Sequence, residues 1–463
     1  MVAFAGILPE QFSVRIHDSL PLLTVSRVLI LLTAAFWLVE RIKKRRLTVP
    51  KSLLIFFGVN IALALFHLFF DLDEIKHIAI LLMERALVVI MLADMIETRE
   101  EFERCIDFSV LGCCALAVIG LCQTVLDYDL ASVLHLTETM ASISITARMG
   151  LTRAFGTFNA ISYGCYCAVM LLLIYYRLEK TRLLRYALAF AVTFAAFVCT
   201  FSRSSWVCAA AVFFVLLLLG RKVFLQRMWP TAAMAVALCA VLCLPQPKLL
   251  KAYGETGKSV LNTVLAVLPS DSASKDNAPS SSTEEPIEEP EEPEKEPVFE
   301  LDEEFGLNAN DPSYTRMAQW TAVEYMTGEG KLIAGYGYNA FPEGKLHYRF
   351  DRWDTGWITG RMLDVGLVAV MTEGGLIGIG SLLALLVFMM IYAWKHKDKR
   401  GGFDFYRAML YIVPLYLMMN FTSSFPNGGT IWLIWGLFYA YKRLDETLPP
   451  EEAPALPTKK WQF

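Results

Sequence analysis

Charge is scarce in this 463-residue chain. Asp, Glu, Lys and Arg make up 19% of it, against roughly a quarter in soluble domains. There is no G-x-x-x-x-G-K-[ST] run and no G-x-G-x-x-G, so nucleotide-driven transport or chemistry has no support. Cysteine is missing from the whole stretch 245–364, although ten Cys occur elsewhere. That argues against a disulfide framework, and no Cys/His spacing resembles a metal site. All ten Cys lie in or beside apolar segments and read as small buried residues. What is abundant is apolar surface: 55% hydrophobic residues and a mean hydropathy of +0.44. It is gathered into blocks, several long enough for a hydrocarbon core of ~30 Å. An ordinary soluble enzyme, a nucleic-acid-binding domain and a secreted disulfide scaffold are thereby excluded. The fold class expected is all-α, a polytopic transmembrane helical bundle.

Eleven spans are predicted: Leu20–Val39, Pro50–Phe70, His77–Ile96, Ile106–Leu126, Ile161–Tyr176, Tyr186–Phe201, Trp206–Gly220, Met228–Leu244, Leu367–Trp394, Tyr406–Phe421 and Gly428–Tyr441. The last is short, and Trp432, Trp435 and Tyr439 suit interfacial anchoring. Basic residues follow alternate spans: Arg41, Lys43, Lys44, Arg45 and Arg46; Arg177, Lys180, Arg182 and Arg185; Arg221, Lys222 and Arg227; Lys395, Lys397, Lys399 and Arg400; Lys442 and Arg443. The other loops are poor in Lys and Arg. The positive-inside rule makes the basic loops cytoplasmic, the N-terminus external and the C-terminus cytoplasmic. Met1–Leu8 is too short to span and has no basic n-region, so no cleavable signal peptide is expected.

The chain thus divides into an N-terminal bundle over 1–244, a large external loop over 245–364, C-terminal helices over 365–443 and a tail over 444–463. Within the loop, about 270–304 forms an acidic, Pro-rich insert. Glu284–Glu304 alone carries −11 of a net charge of −4, which leaves +7 for the remainder. Ser270–Pro297 has too little apolar surface to offset ordering entropy, so disorder is expected there. Asp311–Thr327 has a helical pattern with Met317, Trp320, Val323 and Tyr325 available for burial. Gly335–Asp364, rich in Gly, aromatics and charge, reads as an ordered surface.

Charges at the external face are the chemical signal. Arg153 precedes the fifth span in Arg153-Ala154-Phe155-Gly156-Thr157-Phe158-Asn159. Arg203 sits in the tight turn Phe201-Ser202-Arg203-Ser204-Ser205-Trp206. Arg316 lies on the loop helix, and Asp364 at the mouth of the ninth span. Three guanidinium groups at one face suit a phosphate or diphosphate, which they can grip bidentately. Snorkelling with local salt bridging is the plainer alternative. Glu373 lies about 13.5 Å beyond Asp364 along a helix, inside the membrane, where ionisable groups are costly and usually paired. Arg27, Glu84, Arg85 and Asp94 are further charges in or at the edge of spans. Glu84 and Arg85 are adjacent and cannot face each other on a helix, so each needs its own partner.

In their order, these segments resemble the O-antigen ligase / O-antigen polymerase superfamily of bacterial membrane glycosyltransferases. The resemblance covers roughly Gln123 to Tyr441. An external R-x-x-G-x-F stretch is matched by Arg153, Gly156 and Phe158, and an S-R turn by Ser202-Arg203. A loop helix with S/T-R-x-x-x-W is matched by Thr315-Arg316 and Trp320. A G-x-G-x-x-x-F stretch is matched by Gly335, Gly337 and Phe341, with Tyr338 inside it. An acid or His before E-x-G-L-I-G is matched by Asp364 and Glu373–Gly378.

The resemblance implies transfer of a glycan from undecaprenyl diphosphate to a hydroxyl, at the outer face of a bacterial cytoplasmic membrane. Arg203, Arg316 and Asp364 are the catalytic candidates. Arg153, Gly335, Gly337, Tyr338, Glu373 and Trp320 are the substrate-binding ones. The leaving group is already an anion, so it needs preorganised positive charge rather than a general acid. The acceptor hydroxyl needs a base, and Asp364 is the best-placed carboxylate. It suits equally the N-cap of the ninth helix. No cofactor or metal is expected. The partners implied are a lipid-linked glycan donor, a glycan or lipid-linked acceptor, membrane lipid and other polysaccharide-assembly proteins, with no nucleic acid.

The chain departs from the family in three places. Asp364-Val365 replaces the His-Asn usual in ligases, which favours a polymerase joining repeat units over a ligase transferring finished glycan. Asn159-Ala160-Ile161 replaces N-P-N. The family has twelve spans, one more than counted here. A lipid-linked sugar transporter is a competing class, but it calls for an interrupted helix pair near mid-membrane, and none is legible. A non-catalytic anchor with an acidic binding loop is the last alternative.

Overall fold

The computed structural model describes residues 13–14, 23–44, 49–72, 74–127, 151–156, 160–219, 221–267, 322–338, 365–397, 403–422 and 429–447. Helices dominate. In chain order they are α1 Val25–Lys44, α2 Lys51–Leu68, α3 Glu74–Ile80, α4 Leu87–Met95, α5 Arg99–Val125, α6 Ala160–Thr181, α7 Leu184–Cys199, α8 Arg203–Leu219, α9 Arg221–Leu242, α10 Lys248–Val267, α11 Ala322–Gly328, α12 Gly366–His396, α13 Phe405–Thr422 and α14 Gly429–Thr447. One π-helical turn, Leu81–Ala86, joins α3 to α4. Two short antiparallel strands, Ser13–Val14 and Leu23–Thr24, precede α1. Among the described residues, four helices are long and apolar enough to cross a membrane: α2, α5, α6 and α12.

Helix α6 is the centre. Its polar residues are few and its interior face carries Gly164, Cys165, Cys167 and Ala168, so it is apolar and small enough to be enclosed all round. Nearly every residue from Ala160 to Glu179 is buried. Gly164 sets one approach: a Cβ there would lie 2.9 Å from Ser205 Oγ and 3.2 Å from Ser202 Cβ, on the α7–α8 turn. Between apolar helices in lipid, close packing of this kind, rather than expulsion of water, drives association.

The basic ends of the helices collect at one end of the bundle. Asp94, at the end of α4 and 1% exposed, accepts from Trp37 Nε1 at 2.8 Å and pairs with Arg41 Nε at 2.5 Å. Arg443 of α14 donates to the carbonyls of Asp94 and Ile96. Glu103 at the start of α5 pairs with Arg177 and Lys180 at the end of α6, and Asp107 takes both Arg177 and the Tyr186 hydroxyl. Phe102 of α5 packs edge-on against Phe405 of α13, 5.0 Å between centroids. Thr98 and Glu101 form a reciprocal capping box that starts α5, as a Thr-x-x-Glu spacing leads one to expect. Glu97 accepts from Lys44 at 3.1 Å, and that hydrogen bond holds its carboxyl below the usual range.

Where described, the eleven apolar segments fall on helix except at some end residues, among them Leu23–Thr24, the strand that opens the first, and three further differences stand out. The segment His77–Ile96 is not one regular helix but α3, the π-turn and α4. The segment Leu367–Trp394, read as one continuous span, is broken at Gly375, whose φ of 59° and ψ of −156° lie in a region essentially closed to residues with a Cβ. Residues 248–267, assigned to the loop, form helix α10. The described part of the expected loop helix is α11; the acidic insert lies outside the described residues.

Candidate functional site

The end opposite the basic loops carries two polar assemblies. The first is built around Gln123, near the end of α5. Its Oε1 accepts from the backbone N–H of Phe155 (3.2 Å) and Gly156 (2.9 Å), and its Nε2 donates to the Gly156 carbonyl (3.0 Å). Asp127 Oδ1 accepts from both Thr152 N and Thr152 Oγ1. Thus clamped, the 151–156 segment donates from Ala154 N to the Cys199 carbonyl at 2.9 Å. Gly156 has φ of +57° and faces the Tyr163 ring so closely that a Cβ would stand 3.1 Å from it. That accounts for glycine in the Arg153-x-x-Gly156 pattern.

Arg153 is thereby carried to the α7–α8 turn. It is 8% exposed, and its Nε donates to the Thr200 carbonyl at 2.6 Å. The turn itself is tight: Phe201 is buried with φ of 48°, and Ser202 Oγ meets Ser205 Oγ at 2.9 Å. Arg203 is the first residue of α8, half-buried. Arg153 is therefore hydrogen-bonded to the turn that leads into Arg203. Helix α10 covers it: Tyr253 OH lies 3.1 Å from Cys199 Sγ, and its ring 5.6 Å from that of Phe201. Burial pushes the Tyr253 phenol far above its ordinary value, so it stays protonated.

The second assembly joins the Gly335 motif to the Glu373 motif. Where α12 breaks, its free backbone groups are taken by residues 332–337. Tyr336 N donates to the Thr372 carbonyl (2.9 Å) and Gly337 N to that of Glu373 (3.0 Å). Leu376 N donates to the Leu332 carbonyl (2.8 Å) and Ile377 N to that of Ile333 (3.1 Å). The two backbones touch. A Cβ on Gly335, whose φ is +78°, would lie 2.7 Å from Gly375 N, and one on Gly375 would lie 2.6 Å from Gly335 N.

From the other side, His67 Nε2 bonds the Ala334 carbonyl at 2.8 Å, which requires the proton on Nε2. Glu74, 1% exposed, accepts from Tyr338 N. The Tyr338 ring lies 4.6 Å from the His77 ring, and its phenol is raised by burial and then by Glu373. Gly335, Gly337, Tyr338 and Glu373 are thus one contiguous structure. Arg316, Trp320 and Asp364 lie outside the described residues. Helix α13 packs against both α8 and α12 and so links the two assemblies.

Further along the same helical run lie Glu84 and Arg85. Glu84, in the π-turn, pairs with Arg27 of α1. Arg85 instead stands over the Trp432 ring, 5.6 Å from its centroid. Each does have its own partner. His67, Glu74 and His77 were not singled out in the sequence. The one available signal was their position as polar residues at the ends of apolar runs. Among the described residues, no three His, Cys, Asp or Glu side chains gather as metal ligands would.

The chain matches no family profile, no curated protein and no solved structure.

Proposed function

We propose that the protein is a polysaccharide-polymerase-type glycosyltransferase of a bacterial cytoplasmic membrane. It would cross the bilayer eleven times and join lipid-diphosphate-linked repeat units at the outer face. The observation that carries this reading is the pairing of distant motifs. Arg153 reaches the turn before Arg203, and Gly335–Tyr338 seats itself on Glu373–Ile377. Both pairs lie at the end opposite the Lys/Arg-rich loops, where the positive-inside rule puts the exterior.

In this mechanism the acceptor hydroxyl oxygen attacks the anomeric carbon of the donor glycan. The bond from that carbon to the diphosphate breaks, and its electron pair leaves on the diphosphate oxygen. The hydroxyl proton passes to the Asp364 carboxylate. Arg203, Arg153 and Arg316 stabilise the departing charge, an electrostatic role suited to preorganised guanidinium groups in a partly dry site. Glu373 and the glycine loop shape the floor on which sugar rests.

The test is product length. Asp364→Asn keeps the capping ability of the side chain and removes the base, whose contribution is typically about 10²–10⁴-fold. The variant should be abundant, and cells carrying it should accumulate single lipid-linked repeat units. Arg203→Lys should do the same, because a point charge does not reproduce the bidentate fork. Polymer of normal length at a normal rate from both variants would overturn the proposal. A deletion strain separates the neighbouring readings. Long lipid-linked chains would indicate a ligase. Single units trapped inside would indicate a transporter, the reading to which the interruption of α12 gives some support.

A further inference from the structure

Arg85 is a cation that forms no ion pair among the described residues. It makes no hydrogen bond among them either, and its Nε is buried with no acceptor. Its neighbour Glu84 is occupied by Arg27. One face of the guanidinium is covered by Trp432, which leaves its edge, with the N–H fork, for something else. His77 Nδ1 is likewise buried without a partner. His77 precedes Arg85 by eight residues, about 12 Å along the same helical run, and its ring lies 4.6 Å from that of Tyr338.

Three independent features bear on what would fill this place. Two helices begin here: Arg27 is in the first turn of α1 and Trp432 in the first turn of α14, and neither first turn carries an acid. Both helices therefore present the positive ends of their dipoles at this level. The π-turn that carries Arg85 is a distortion found mostly at functional sites. Finally, the level lies about 16 Å along the helix from Glu74, so in the eleven-span reading an unpaired cation is costly there. The carboxylate set against an anionic guest is Glu373, near Tyr338.

We propose that Arg85 and His77, between the first turns of α1 and α14, form an oxyanion site for a phosphate or diphosphate group, separate from the Arg153–Arg203 unit. The guanidinium edge grips two oxygens, and Trp432 fixes its plane. Tyr338 ties the site to the docked loop, so occupancy is sensed at Gly335–Ile377. The site does not depend on glycosyl transfer. It would bind its guest even in a chain that polymerises nothing.

The experiment uses the full-length protein in nanodiscs, with inorganic diphosphate and farnesyl diphosphate as probes. Binding is followed by calorimetry and by tryptophan emission. Both probes, or farnesyl diphosphate alone, should bind. The second pattern would mean that the guest is borne by lipid, the first that the free ion suffices. Arg85→Gln should weaken binding tenfold or more, and Arg85→Lys by less. Trp432→Phe should abolish the emission change while calorimetric binding persists. Glu373→Gln should tighten binding. Because the Arg153–Arg203 unit would also take a diphosphate, the binding component that quenches Trp432 is the one followed: Arg203→Lys should leave that component unchanged, whatever happens to polymer, which separates this site from the proposed reaction. No binding of either probe, or unaltered affinity in a folded Arg85→Gln protein, overturns the proposal. If Arg85→Gln fails to fold, unchanged affinity in Arg85→Lys and His77→Gln together does so.

Discussion

Gly375→Ala should lift the 331–338 segment off α12. Two effects oppose docking, and four hydrogen bonds set the limit of what opening can lose. The residue's φ of 59° and ψ of −156° cost a side chain about 1–3 kcal/mol. The new Cβ would lie 2.6 Å from Gly335 N, against backbone that cannot rotate away. Relief requires separating the two chains, which breaks the four hydrogen bonds from Tyr336, Gly337, Leu376 and Ile377. At about 0.5–1.5 kcal/mol net each, those bonds come to roughly 2–6 kcal/mol. Local opening should therefore become easier by several kcal/mol, without unfolding α6 and its neighbours. Hydrogen exchange on the purified protein reads this directly: protection at those four amides should fall by at least a hundredfold, with α6 unchanged. Gly335→Ala should give the same pattern. The double variant should be little worse than either, because both substitutions detach the same contact and neighbouring sites are not additive. Native protection at the four amides in Gly375→Ala, or full additivity, would refute the docking of these motifs.

Gln123→Leu removes the three hydrogen bonds that fix 151–156 and leaves buried backbone groups unpaired. It should lower stability by about 2–5 kcal/mol and give short polymer, measured by thermal denaturation and glycan profiling. Gln123→Glu keeps the acceptor and should fall between. Arg41→Ala leaves the buried Asp94 carboxylate with Trp37 and the longer Arg443 ion pair at 3.6 Å and should cost up to about 3 kcal/mol, seen as reduced membrane abundance that Asp94→Asn partly restores in the double variant. Glu97 has a depressed pKa because it accepts from Lys44. Its stabilising effect is complete above the unfolded carboxyl value and is lost as pH falls through the folded one. Acid thermal scans should thus show a small pH-dependent loss that shrinks in Glu97→Gln, the remainder coming from Glu40, which shares Lys44.

Much of the helical framework is legible in the sequence because apolar run length and flanking Lys and Arg speak directly to it. The 248–267 helix escapes such reading. Only one side of it packs, through Leu249, Ala252, Tyr253 and Thr256, so its mean polarity looks like loop. The break at Gly375 escapes for a different reason: Glu373-Gly374-Gly375 reads as tolerable glycine within a long apolar run, and the turn segment that makes the break stable lies some forty residues earlier. At the site, Arg153 and Arg203 are visible as charges at span ends, and the link from Arg153 to the Thr200 carbonyl is the short-range consequence of a tight turn. Glu74 and His67 are invisible because their roles depend on backbone atoms of Tyr338 and Ala334, more than 260 residues away. The adjacency of Glu84 and Arg85 did announce separate partners, but not that one would be a tryptophan face.

The Asp94 junction has a consequence for how the protein is made. Asp94 leaves the ribosome early, with Trp37 and Arg41 already synthesised to receive its side chain. Its carbonyl awaits Arg443, 349 residues later. At ~5–20 residues per second that delay is on the order of 17 to 70 s. Throughout it, the groove on Leu92 that Gly436 later enters, with a would-be Cβ only 2.8 Å from Leu92 Cβ, stands vacant. Nascent chains arrested before α14 should therefore expose that groove and attract insertion chaperones or membrane proteases. Helix α14 thus closes the bundle over Leu92. A truncation that removes so few residues from the end should be lethal to the fold out of proportion to its length.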